Sequence, residues 1–320
     1  MSDPHAQLRE ALLDFLWNQW SSLGAPAQGV GSPVPFVIDP EALLLASMRF
    51  GETDARMTDI VADWLPKNGA FLNLQRIKNL QSGTKLGTSG NLAALGNLME
   101  AAGFRNWKKL SESSAKSNAG DGQSRSMSQS PDPSRPEAFL LKMRMLFGLS
   151  ARPEIITWLL THPAGHAAEI ARDTGWFSKS VQAILNDLEA SGMLMSHMDG
   201  RKKIVSVNPR NNILNSGFSD SLRWFTQAPF YLGILHVILT HERLGKNHHA
   251  SDSVKSILIH QDLAAINAAF RLAGIRDPFA AMAALKGLDA VDGFKAGSGG
   301  VTAILNTRSR VAGKTLDSTG

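Results

Sequence analysis

The run SKSVQAILNDLEASG, from Ser178 to Gly192, carries hydroxyl, ammonium and amide side chains at helical spacing. Val181, Ile184, Leu185 and Leu188 form one apolar face, and Ser178, Lys179, Gln182, Ala183 and Asn186 fall largely away from it. Such polar groups can reach base edges and phosphates in a major groove. Asp187 and Glu189 come late in the run, where repulsion from phosphate matters less. Further on, Arg201, Lys202 and Lys203 stand beside Asp199-Gly200, a two-residue hairpin signal. Cations at a hairpin tip suit contact with a phosphate backbone or a minor groove.

The elements that must position these groups read as follows. PEIITWLLTH opens with Pro153, tolerated in a first helical turn, and carries Ile155, Ile156, Leu159 and Leu160 at helical spacing. Pro163, Ala164 and Gly165 break it. HAAEIARDTG predicts a short second helix that ends at Gly175. Ser178 is the expected N-cap of a third helix over 178–191, which Gly192 ends. MLMSHM and KIVSV have strand-like composition and flank the hairpin turn.

Together, E-I-I-x-W-L-L, A-x-E-I-A-R-x-T-G, S-x-x-V-Q-x-I-L-N-D-L-E-x-S-G and a D-G-R-K hairpin resemble the bacterial winged helix-turn-helix regulators of the MarR/ArsR type. The resemblance covers residues 153–209 only. It implies a recognition helix whose Ser178, Lys179, Ser180, Gln182 and Asn186 face DNA, and a wing made by Arg201, Lys202 and Lys203. It also implies a two-fold dimer on a palindromic site. Two departures matter. With no Cys in the chain, the thiolate metal site of many ArsR-type proteins is absent. Trp176-Phe177 places two large aromatics at the turn, where packing against a neighbouring domain would limit access to the helix.

The fold expected is mainly α, a winged helix-turn-helix flanked by helical domains. Residues 1–110 read as a helical domain, with an amphipathic helix over 5–22 and a second helix capped by Asp39-Pro40. Within it, ARMTDIVADWLPKNGAFLNLQRIKNL faintly echoes the opening of the winged segment; a plain dimerisation domain is preferred to a second, degenerate helix-turn-helix. Residues 111–136 are rich in Ser, Gly and Pro and read as a linker that lets the domains move partly independently. Residues 137–209 form the winged unit with a lead-in helix. Residues 210–290 read as a helical region, and 291–320, rich in Gly, Ser and Thr, as a disordered tail.

Composition sets bounds. A chain of 320 residues with 43% hydrophobic content can bury two or three cores. A net charge of +5 permits nucleic-acid binding without demanding it. The lack of Cys, and an N-terminus without signal-peptide character, point to a soluble protein of the cytoplasm. FYLGILHVIL is too short to span a bilayer. Gly313-Lys314-Thr315 imitates the end of a phosphate-binding loop, but Arg308 stands where that loop needs glycine. No catalytic constellation, metal site or cofactor is expected. The expected partner is double-stranded DNA, bound by a homodimer. The alternative is a protein-interaction or antitoxin-like scaffold, with Trp176-Phe177 as the anchor for a partner protein.

Overall fold

The computed structural model describes residues 3–26, 34–51, 54–111, 126–210 and 222–310. They are mainly helical, with one small three-stranded sheet. Six helices come first: α1 (Pro4–Ser22), α2 (Pro40–Phe50), α3 (Ala55–Asn68), α4 (Leu74–Thr84), α5 (Ser89–Ala101) and α6 (Lys108–Ser111). Next are α7 (Phe139–Phe147), α8 (Ala151–Thr161), β1 (Gly165–His166), α9 (Ala167–Thr174), α10 (Ser178–Ala190), β2 (Leu194–Asp199) and β3 (Lys202–Val207). The chain then forms α11 (Gln227–Lys246), α12 (Asp252–Leu272) and α13 (Gly287–Arg310).

Local chemistry explains many of the helix starts. The Asp39 carboxylate accepts from Ala42 N, and Pro40 occupies a position that needs no N–H. Thr88 and Asn91 cap α5 reciprocally. Helix α10 departs from expectation. Its N-cap is Phe177, which makes no side-chain cap bond, so Ser178 is the first helical residue rather than the cap.

Two apolar cores organise these elements. The larger joins α1–α5 to α11–α13, so residues expected in separate N- and C-terminal domains close around one interior. Trp20 and Trp64 pack there edge to face, 5.2 Å between centroids, and Trp20 Nε1 donates to Ser47 Oγ at 2.8 Å. Gln19 Nε2 donates to Tyr231 Oη at 2.9 Å, tying α1 to α11. The smaller core lies among α7–α10 and the sheet, with Ile155, Trp158, Ile170, Val181, Leu185, Leu188, Leu194 and Val205 buried.

The tail expected to be disordered from 291 is helical through Arg310, and it buries Val291, Phe294, Val301 and Leu305. A Cβ at Gly297 would lie 2.4 Å from the Phe279 ring, so glycine is what lets that ring seat against α13. Burial of the apolar face offsets the low helix propensity of glycine. Positions 311–320 lie outside the described residues. Of the expected linker, 112–125 also lie outside them, while its end is tied down. Asp63 on α3 accepts from Ser128 N at 2.7 Å, and Gln129 N donates to Gly24 O at 2.7 Å.

A buried ionic network joins the two cores. Arg76 Nη1 and Nη2 donate to the two oxygens of Asp39, each at 2.5 Å, and Nη1 also donates to Glu41 at 2.6 Å. Arg144 on α7 donates to Glu41 at 2.7 and 2.8 Å, and to Glu154 on α8. None of these side chains has appreciable exposure. Burial alone would raise the Glu41 pKa, but Arg144 and Arg76 outweigh it and hold it at about 2.

Candidate functional site

The residues singled out by sequence lie on α10 and on the β2–β3 hairpin. Helix α10 packs through Val181, Leu185 and Leu188 against α8 and α9. That leaves Ser178, Lys179, Ser180, Gln182 and Asn186 exposed, together with Ala183. Gln182 Nε2 donates to Asn186 Oδ1 at 3.0 Å, a pairing at i, i+4 that aligns the two amides along the exposed face. Asp187, nearer the end of the helix, pairs with Arg152 on α8 at 3.1 Å.

The hairpin is antiparallel, in a sheet of order β1-β3-β2. Asp199 pairs with Lys202, so the two loop residues are Gly200 and Arg201, one position later than expected. Gly200, at φ +58°, supplies the positive dihedral that tight hairpin turns require. The two-residue strand β1 was not anticipated. It pairs with β3 through Gly165–Val205 and His166–Ile204, anchoring the hairpin beside α9.

The three expected wing cations are not equivalent. Arg201 and Lys202 are exposed at the tip and form no ion pair among the described residues. Lys203 is half-buried and bonded to Glu189 of α10. Hydrogen bonds from Lys203 and Ser196 hold the Glu189 carboxyl below its ordinary pKa. Glu189 thus fastens β2 and β3 to α10, which local sequence did not reveal.

The aromatic pair at the turn is split. Trp176 is half-buried against its own unit's core, whereas Phe177 is 63% exposed just before α10. The turn does meet a neighbouring element. Thr174 O accepts from Arg76 Nε at 2.8 Å, and Gly175 O accepts from Asn79 Nδ2 at 3.1 Å, both from α4. These partners lie about a hundred positions upstream, and no local pattern pairs them. They grip the turn while the polar face of α10 stays exposed.

Elsewhere, α1, α2 and α11 enclose a cleft of about 230 Å³, floored by Leu12, Phe50 and Ile238 and rimmed by Arg9, Arg49 and Glu242. Arg9 and Glu242 are within 3.5 Å of each other. No group of three or more His, Cys, Asp or Glu suited to a metal ion occurs among the described residues. No helix among them is long and apolar enough to cross a membrane. The chain matches no protein-family model, no curated protein and no solved structure.

Proposed function

We propose that this protein is a sequence-specific, duplex DNA-binding transcriptional regulator whose residues 151–207 form a winged helix-turn-helix. The observation that carries the reading is the uncovered polar face of α10 beside a hairpin with Arg201 and Lys202 at its tip. Helix α10 enters the major groove. Gln182 and Asn186 read base edges, while Ser178, Lys179 and Ser180 at its start bond phosphates or bases. Arg201 and Lys202 hold the backbone, and Lys203 braces the wing through Glu189. Two copies present paired helices to a palindromic site in cytoplasmic DNA. No metal or cofactor enters this reading.

The test is capture and sequencing of fragmented genomic DNA on the purified protein at two salt concentrations. A recurring palindromic motif that survives the higher salt is expected. Recovery of bulk DNA alone, lost with salt, would mean only a sticky basic surface.

A second reading has its own support. Phe177 is 63% exposed, and Met195 and Met198 on β2 are 46% and 64% exposed. Apolar side chains of this kind suit a protein partner, with the unit serving as an antitoxin-like scaffold. Phe177, rather than the half-buried Trp176, is the anchor in that case. A stoichiometric partner that co-purifies with the wild type and is lost on Phe177→Ala would favour it.

A further inference from the structure

The turn between α9 and α10 is held from outside its own unit. Its two successive carbonyls, Thr174 O and Gly175 O, accept from Arg76 and Asn79 on α4, at 2.8 and 3.1 Å. Leu80, one residue on, covers Gly175 so closely that a Cβ there would lie 2.7 Å from Leu80 Cδ2. Gly175 itself is left-handed, at φ +74°, a conformation that glycine adopts without strain. Three residues of α4 therefore meet the turn at consecutive points.

Arg76 does not act alone. Its Nη atoms are committed to Asp39 and Glu41, and Glu41 is bridged by Arg144 to Glu154 on α8. The larger core thus grips the unit at α8 and at the end of α9. Between those grips and α10 lie only Gly175, Trp176 and Phe177. A guanidinium so placed resists displacement, because moving it would strip buried carboxylates of their partner.

We infer that α4 is a positioning clamp: Arg76 and Asn79 fix the α9–α10 turn, and through it the direction in which the main body presents α10. Neither residue touches a ligand in this assignment. The consequence for ligand binding rests on the DNA-binding reading, whereas the clamp itself does not.

Asn79 offers a clean way to test this. Its Oδ1 accepts from Gln75 at 2.9 Å while its Nδ2 donates to Gly175 O. Asn79→Asp keeps the acceptor and the shape, and removes the donor. Amide hydrogen exchange in the full-length protein is expected to rise about five- to tenfold over 174–181, the range that one missing hydrogen bond supports. Exchange in α11–α13 should stay unchanged, and so should the thermal midpoint within a few degrees. Arg76→Lys, which keeps the charge but lacks the Nε donor to Thr174 O, should accelerate the same segment. If Asn79→Asp does not fold, Asn79→Ala removes the donor without adding a charge and gives the same readout.

The second readout is binding to the duplexes that the wild type recovers from genomic DNA. Weaker specific binding with an unchanged salt slope is expected, because the cations that meet phosphate are all still in place. Unaltered exchange over 174–181 in both the Asn79 variant and Arg76→Lys overturns the clamp. Faster exchange in a protein whose wild type binds no duplex DNA upholds the clamp and removes the DNA-binding reading instead. Faster exchange with wild-type specific affinity overturns the claim that the clamp sets the presentation of α10.

Discussion

Arg76 and Arg144 lie with no exposed side-chain surface at the junction of the two cores, whereas Arg201 and Lys202 stand exposed on a hairpin tip. The side-chain chemistry is similar and the roles are opposite. A buried guanidinium has to be matched donor by donor, so its charge is consumed in architecture. Burial by itself would depress the pKa values of Arg76 and Arg144, yet the carboxylates around them raise both above the ordinary value. An exposed cation on a short turn meets no such constraint, and its field reaches solvent and any polyanion that approaches. Position in the fold, not residue type, separates structural charge from charge available for binding.

The sharpest way to break this comparison is to remove one cation from each set. Arg144→Ala strands Glu154 in the interior and leaves Glu41 with Arg76 as its remaining guanidinium, and should lower unfolding free energy by about 3–5 kcal/mol, read from urea denaturation. Arg201→Ala with Lys202→Ala should leave the same curve unchanged. Equal destabilisation by the two changes would erase the distinction.

Acid should expose the same contrast. The folded pKa of Glu41, about 2, lies below its ordinary 4.5. Its contribution is therefore full above pH 4.5 and is lost as pH falls toward 2, on the order of 3 kcal/mol in all. His241 acts in the same direction. Burial, and then the charge of His5, hold it at about 4 against 6.5, so protonating it in the folded state costs stability as pH falls from 6.5 toward 4. Urea midpoints measured from pH 7 down to pH 2 should fall through both windows, and Glu41→Gln should flatten the lower one.

A smaller loss is expected at the turn. Gly175→Ala places a Cβ on a residue at φ +74° and against Leu80, and should lower stability by about 1–2 kcal/mol. The loss should be concentrated over 174–181 in hydrogen exchange. The smallest effect on stability, and the largest on ligand, belongs to the exposed set. Arg201→Ala with Lys202→Ala should reduce the salt slope of duplex binding by about 2, roughly 0.9 for each phosphate left without its cation. Gln182→Ala or Asn186→Ala should leave the slope alone and lower discrimination between sequences by about 1–3 kcal/mol. Lys203→Ala, which frees Glu189, should loosen the hairpin more than it changes the salt slope.

Much of the α8–β3 segment was legible because its signals are local. Apolar spacing set the buried face of α10, Gly175 and Gly192 marked helix ends, and Asp199-Gly200 marked the hairpin to within one residue. The misreadings share one cause, which is dependence on distant partners. Strand β1 is two residues long and exists only because β3 pairs with it. Within the expected helical region, Ala280–Ala284 form a short 3₁₀ turn, because Phe279 seats against Gly297 on α13.

The sequence by itself determined which residues of α10 and of the hairpin carry polar and cationic groups, and which positions break the chain. Those properties follow from side-chain type and from periods of two and 3.6 residues. The tertiary structure decided which of those groups stay free. It buried Arg76 and Arg144, bonded Lys203 to Glu189, divided Trp176 from Phe177 and set α4 against the α9–α10 turn. Burial and pairing depend on what the rest of the chain brings within a few ångströms, and no local window contains that information.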